Sequence, residues 1–369
     1  MFSKGSFQLT ILVFILMNDK TTTAQSPCTN ANYQDTTLKL LKDQAIGHSF
    51  MDLTSYGQDR ILLNRFEASD VVLSPDGHYV YVVFDNIYQI GAFCTPLGRL
   101  SNCTDQLFSW PNASLNSQDS SFEGIAYEPV NGRYFVVQET VPTNAKGIFR
   151  SNIFELSIAM NRAQPLQQVD SCVVSWTFGS KNKGFEGLEA VYHQRTGQTY
   201  LLALCEANKC DHKSNSTNDG RIVVLEKKRT TDGVCSWEPM GTFDLPSSVR
   251  FSDYSAMSIY PSKTKQLPTY IAVVSQTNSQ LWIGRIDEID ERPYFDVSKL
   301  KKSVVYDFPR STETASECQI KYCNVEGVAW QGKNQLVLVS DKAKDDQDIH
   351  CIEKDQSIHY FALPDNLSK

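Results

Sequence analysis

An all-β fold made of small sheets stacked around an axis, a β-propeller of about five blades, follows from three features of this 369-residue sequence. One motif recurs: a short apolar strand, a turn rich in Gly, Asn, Asp or Lys, and a β-branched and aromatic strand. It recurs at near-regular intervals, and each copy is too small to bury its own faces. No stretch of useful length has helical periodicity outside roughly residues 36–46, TTLKLLKDQAI, which suits a strand or a short helix.

Three copies state the motif fully: SFEGIAYEPVNGRYFVVQET from Ser121, GFEGLEAVYHQRTGQTYLLALCEA from Gly184 and NVEGVAWQGKNQLVLVSDKA from Asn324. Two degenerate copies fit the same frame: ASDVVLSPDGHYVYVVFDN from Ala68 and DYSAMSIYPSKTKQLPTYIAVVSQT from Asp253. Third strands follow, as in IFELSI, RIVVLEK, LWIGRID and IHYFAL. Copies start near 69, 123, 186, 255 and 326, at spacings of 54, 63, 69 and 71 residues. Radial stacking buries both faces of such meanders and leaves only short edges. A sandwich of irregular strands would not repeat at these intervals. Five blades are expected and six are compatible, with residues 66–365 forming the propeller and 25–65 preceding it. Within that leading part, residues 37–66 supply outer strands or close the ring.

The N-terminus reads as a signal peptide over residues 1–24: Lys4, the apolar run Phe7 to Met17, then Thr22-Thr23-Ala24 before the cut. The run is shorter than the roughly 20 apolar residues of a membrane-spanning helix. A retained anchor is the alternative, and no other segment suggests a membrane span. Ten cysteines in an exported chain point to disulfides. Short spacings favour Cys94 with Cys103, Cys205 with Cys210 and Cys318 with Cys323, although spacing does not prove connectivity. No CxxC pair or Cys/His cluster has zinc spacing. Sequons at Asn102, Asn112, Asn215 and Asn366 agree with a secreted, extracellular glycoprotein. The formal net charge of −7 argues against nucleic acid or an anionic membrane as partner. It leaves room for an anionic ligand held through a cation.

Folding the second copy about Asn131-Gly132 sets Glu123 opposite Glu139 at the open end of the hairpin. The same folding pairs Glu186 with Glu206, Glu326 with Asp341, Ser69 with Asp85 and Ser255 with Gln276. In a propeller the first strand of each blade lines the central channel. One mouth should therefore collect Glu123, Glu139, Glu186, Glu206, Glu326, Asp341 and Asp85. Carboxylates so close raise one another's pKa unless a cation or donor compensates. Calcium takes six to eight oxygen ligands in irregular geometry and suits such a rim. The competing reading makes each Glu of the Glu-Gly pair a cap on backbone N–H groups of the neighbouring blade. The Gly itself lets backbones approach closely at the axis.

These repeats, in this order, resemble the SdiA-regulated, phytase-like group of β-propellers over roughly residues 66–361. Ala256 stands where that group tends to have Gly, and Gln276 where it has an acid. The resemblance implies a calcium-associated propeller outside the cytoplasm, in a group where some propellers act on phosphate esters or acidic sugars. Two functions follow. One is an extracellular binding protein with an acidic, calcium-binding channel mouth. The other is a calcium-dependent extracellular enzyme on a phosphate ester or acidic glycan, either a phosphatase of phytase type or a polysaccharide lyase. Repeat acids arise for architectural reasons, so they are poor evidence of catalysis. His78 and His193 fall in turns away from the rim, and His212 lies in a polar loop that begins at it. Asp345, Asp346 and Asp348 form an acidic tail without EF-hand spacing. No G-x-S-x-G, P-loop or G-x-G-x-x-G stands between a strand and a helix, which argues against serine hydrolase, NTPase and dinucleotide chemistry.

Overall fold

The computed structural model describes residues 36–50, 66–98, 103–111, 119–181, 183–193, 196–206, 210, 220–246, 249–260, 269–286, 302–312 and 318–364. The expected leader 1–24, the four sequon asparagines and His212 lie outside the described residues.

The described strands form five four-stranded meanders. Blade one holds β2 (Ala68–Leu73), β3 (Tyr79–Phe84), β4 (Gln89–Cys94) and β5 (Gln106–Ser109). Blade two holds β6 (Phe122–Glu128), β7 (Arg133–Pro142), β8 (Phe149–Ile158) and β9 (Leu166–Val174). Blade three holds β10 (Phe185–His193), β11 (Gln198–Cys205), β12 (Arg221–Arg229) and β13 (Cys235–Asp244). Blade four holds β14 (Ala256–Tyr260), β15 (Thr269–Ser275), β16 (Gln280–Ile286) and β17 (Lys302–Asp307). Blade five holds β18 (Val325–Gly332), β19 (Gln335–Ser340), β20 (Ser357–Ala362) and, as its outermost strand, β1 (Lys39–Ala45). The segment that suited either a strand or a helix is thus an extended strand. It pairs antiparallel with β20 and joins the two ends of the described chain in one sheet.

The middle strands are apolar on both faces because each blade is covered on both sides. Along β15 every residue is buried, and successive side chains serve opposite interfaces. Ile271 and Val273 pack toward blade three, while Ala272 and Val274 pack toward blade five. The buried apolar residues fall into five clusters, one at each of the five blade interfaces. The inner strands β2, β6, β10, β14 and β18 each touch the next and close the ring. Hairpin turns use residues that tolerate positive φ, as at Gly132 with φ 64°.

Blades two and three are joined further. Their outer strands β9 and β13 pair in parallel at Val173 and Ser236, and Cys172–Cys235 ties the same strands. Disulfides also link Cys94 with Cys103 and Cys205 with Cys210. The pairing expected for Cys318 with Cys323 is not formed. Cys323 is bonded to Cys351, on a short helix (Ile349–Ile352) in the loop after β19, and Cys318 is bonded elsewhere. Residues 318–323 do not close on themselves, because Ile320 bridges back to Arg310. Among the described residues no helix is long and apolar enough to cross a membrane.

Candidate metal centre at the channel mouth

The glutamates of the three full motifs sit on β-bulges. Phe122 pairs with Gln138 and Gly124 with Val137, which leaves Glu123 as the extra residue. Glu186 lies between Phe185↔Cys205 and Gly187↔Leu204, and Glu326 between Val325↔Ser340 and Gly327↔Val339. Ser69 takes the same place in blade one. A bulge lifts one residue off the ladder and re-aims its side chain. The expected facing of Glu123 and Glu139 is therefore displaced. The second acid of each hairpin pairs one step further out: Glu139 N–H bonds Ser121 O at 2.8 Å, and Asp341 N–H bonds Asn324 O at 2.8 Å. The glycine after each glutamate is where blades meet. A Cβ on Gly187 would lie 2.7 Å from Met257 N, and one on Gly327 2.7 Å from Asp70 Cα.

All seven predicted acids come together electrostatically. Burial first, then the carboxylates of Glu186, Asp85, Glu139 and Glu326, hold Glu123 well above the usual carboxylate range. Burial also leads for Glu186, followed by Glu139 and Glu206, and for Glu326, followed by Asp341 and Glu186. Asp85 is pushed up to about 6 by burial and then by Glu67 and Asp119. Glu139 rises to about 7 through burial and Glu206, and Asp341 to about 7 through burial with Glu67 among its neighbours. Glu206 is also raised, chiefly by burial, against the pull of its ion pair with Lys183.

These acids differ in their partners. Glu139 Oε1 accepts from Gly184 N–H at 2.9 Å, across the interface between blades two and three. Glu206 pairs with Lys183 through Oε1, while its Oε2 is buried without a hydrogen-bond partner. Among the described residues the carboxylates of Glu123, Glu186 and Glu326 accept no hydrogen bond. Capping of a neighbouring blade does occur, at other residues. Asp70 accepts from Ile125 N–H at 2.9 Å and from Val71 N–H at 2.8 Å, and Glu189 accepts from Ile259 N–H at 2.6 Å.

Blade four interrupts the rim. Ser255 donates to Val325 O at 3.0 Å, and Asp253 is engaged by Thr277 N–H at 3.1 Å and by the Thr277 and Ser275 hydroxyls. Gln276 stands where the other blades carry their second acid.

The donor set fits a hard cation. One carboxylate oxygen from each of Glu139, Glu186 and Glu206 lies within 4.8 Å of the others, and Glu206 Oε2 has no other partner. Asp170, Cys172 and Cys235 are equally close but do not fit, because both sulfurs are in one disulfide and Asp170 pairs with Lys227 at 2.7 Å. His78 lies in a turn and His193 ends β10, where its Nδ1 meets Thr196 Oγ1 at 2.8 Å. Asp345, Asp346 and Asp348 are exposed, and Asp348 caps the short helix by accepting from His350 N–H at 3.0 Å. Sequence reasoning missed Glu67, Asp119, Lys183 and Lys344 at the rim, which precede or follow the repeated motif. It also missed Asp70 and Glu189, which inner-strand alternation would have pointed inward.

A family model described as phytase-like, "Esterase-like activity of phytase", matches residues 67–342. No curated protein matches the chain. Among solved structures, an alpha-L-arabinofuranosidase from Lactobacillus brevis has TM-score 0.44 and 12% identity, covering 81% of this chain and 90% of its own. The Dos1 propeller has TM-score 0.34 and 10% identity, covering 80% and 77%. An exo-beta-1,3-galactanase from Phanerochaete chrysosporium has TM-score 0.36 and 11% identity over 63% of this chain, which spans only 46% of that protein.

Proposed function

Because the chain belongs to the phytase-like family, we propose that it is an extracellular binding protein whose acidic channel mouth holds a calcium ion and, beside it, an anionic ligand. The observation that carries this reading is the set of carboxylates without hydrogen bonds: Glu123, Glu186 and Glu326, joined by Glu206 Oε2. Half-buried carboxylates crowded together, gaining nothing from neighbouring amides, raise the free energy of the ion-free state. Glu139, Glu186 and Glu206 would hold the ion. Bound calcium supplies the positive charge that offsets the rim and draws in a phosphate or carboxylate group. Lys183 and Lys344 hold part of that charge balance from the chain itself. A leader cut after Ala24, glycans on the four sequons and the disulfides fit a secreted protein.

The second reading is a calcium-dependent enzyme on a phosphate ester or acidic glycan. The family description favours it, together with Asp85, Glu139 and Asp341, whose raised values, about 6, about 7 and about 7, suit proton exchange near neutral pH.

Thermal unfolding of the secreted protein in millimolar calcium and then in chelator tests the cation. Hundredfold excess over Kd stabilises by about 2.7 kcal/mol, an upward shift of a few degrees. Glu186→Gln should abolish that shift without lowering the midpoint in chelator. An unchanged midpoint on adding calcium sinks the reading. Turnover of p-nitrophenyl phosphate or an acidic oligosaccharide, lost in Glu139→Gln, would select the enzyme.

A further inference from the structure

The break in the acid rim adjoins a cavity. A space of about 350 Å³ opens between the ends of blades four and five, lined by Gln276, Gln319, Lys344 and the Cys323–Cys351 disulfide. It lies on the mouth side of the ring, because Gln276 holds the rim position of blade four and Lys344 acts electrostatically on Glu206, Glu326 and Asp341. Among the described residues the side-chain amides of Gln276 and Gln319 make no hydrogen bond, and the Lys344 ammonium makes no ion pair within contact distance. One wall is already fixed. Asn324 and Gln347 join their amides at 2.7 and 2.8 Å, and Gln347 also accepts from Lys344 N–H at 2.8 Å.

This is a different chemistry from the rim beside it. Two uncommitted amides offer both donors and acceptors, as the hydroxyls of a sugar or polyol require. Ile320 and the disulfide add apolar surface for the face of such a ring. Lys344 gives a fixed positive charge between cavity and rim. We propose that this cavity is a subsite for the hydroxylated ring of the ligand, whose anionic group reaches Lys344 and the cation site. The inference rests on the anionic-ligand reading above and narrows it to an anionic carbohydrate, whether a sugar phosphate or a uronate. The cavity carries one carboxylate of its own, Asp348, which accepts from His350 N–H at 3.0 Å, and Gln276 in place of an acid adds no second negative charge between cavity and rim.

The test is calorimetric titration of the full secreted protein, with and without calcium, using inorganic phosphate, glucose 6-phosphate and digalacturonate as probes. The ring-bearing probe that fits should bind about tenfold more tightly than inorganic phosphate, the gain of one or two well-made hydrogen bonds. That gain should vanish in Gln276→Ala/Gln319→Ala, with calcium binding unchanged, and whichever probe shows it tells phosphate from carboxylate. If calcium and phosphate bind but neither ring adds affinity, or the double variant keeps the gain, the subsite is wrong and the cation reading stands. If calcium does not bind yet a ring-bearing probe binds in an amide-dependent way, the subsite stands and the cation reading falls. If no probe binds under either condition, the subsite is overturned, and the cation reading falls with it only if calcium does not bind either.

Discussion

Two sets of carboxylates sit on the inner strands and are held in opposite ways. On β10, Glu186 and Glu189 are three residues apart. Glu186 is the bulged residue, lifted off the ladder, and it accepts nothing. Glu189 stays in register opposite Leu202, and its carboxylate reaches across to Ile259 N–H of blade four. Asp70 does the same from blade one to Ile125 of blade two. Burial leads the upward pKa shift in both sets. A perturbed acid alone therefore does not separate a fastener from a ligand site, whereas the hydrogen-bond inventory does.

The largest effect should come from removing a fastener. Asp70→Ala leaves the Ile125 and Val71 amides without their carboxylate acceptor in a buried setting. Two such losses cost about 3 kcal/mol, so the unfolding midpoint in chelator should fall by roughly 5 °C. Glu123→Gln in the same buffer should hold or raise it, since a repelling charge is removed and no hydrogen bond is lost. Equal losses in the two variants would erase the distinction.

Next in size is the pH dependence of the ion-free protein. Asp85, Glu139 and Asp341 have folded-state values of about 6, about 7 and about 7, above those of an unfolded chain. Between about pH 4 and 7 the folded state then binds more protons than the unfolded state. Stability from these groups is complete below the unfolded values and is lost as pH rises through the folded ones. In chelator the midpoint should fall between pH 5 and pH 8. The increment given by calcium should run the other way and grow over that range, because the ion needs the deprotonated rim. A calcium increment that is flat with pH would take the rim carboxylates out of the ion site.

Much of this arrangement was legible in the sequence. The repeated Glu-Gly pair marked both the channel lining and the contact between blades, because only glycine fits against Met257 N or Asp70 Cα. Hairpin symmetry brought seven acids to the rim and passed over Glu67 and Asp119, which lie outside the repeated frame. It placed each pair one step out of true, since a bulge inserts a residue without a signature that counting can detect. Capping was foreseen but assigned to the wrong acids. Which carboxylate meets an amide of the next blade depends on how two sheets are offset, and strand alternation does not carry that information. Cys323–Cys351 was missed for a similar reason, because the 28-residue separation spans both β18 and β19, and spacing does not show that the segment after β19 returns to the start of β18. Lys183 and Lys344 stand outside the repeated motif, where nothing in the pattern marks them.

A smaller effect separates the charge of a fastener from its shape. Glu189→Gln keeps an amide oxygen able to accept from Ile259 N–H, and it removes a charge that burial already disfavours. The change should stay within about 1 kcal/mol, while Glu189→Ala should exceed it. Urea unfolding of both variants checks the order. A large loss in the glutamine variant would mean that the negative charge itself holds blades three and four together.

The smallest expected effect completes the rim. Gln276→Glu places a carboxylate in the one blade whose rim position lacks it. It adds a negative charge beside the other acids but outside the cluster of Glu139, Glu186 and Glu206, so its pull on a bound cation is screened by water and by Lys344. Calcium affinity should rise about two- to threefold, roughly half a kcal/mol, and the midpoint in chelator should slip by a degree or less. The same charge would face any anionic ligand entering from the blade-four side, so binding of such a ligand should weaken even as calcium binds more tightly. Opposite signs for cation and anion are what an asymmetric rim demands. A variant in which both affinities rise would mean that the gap at blade four is an accident of the repeat and does not direct the ligand.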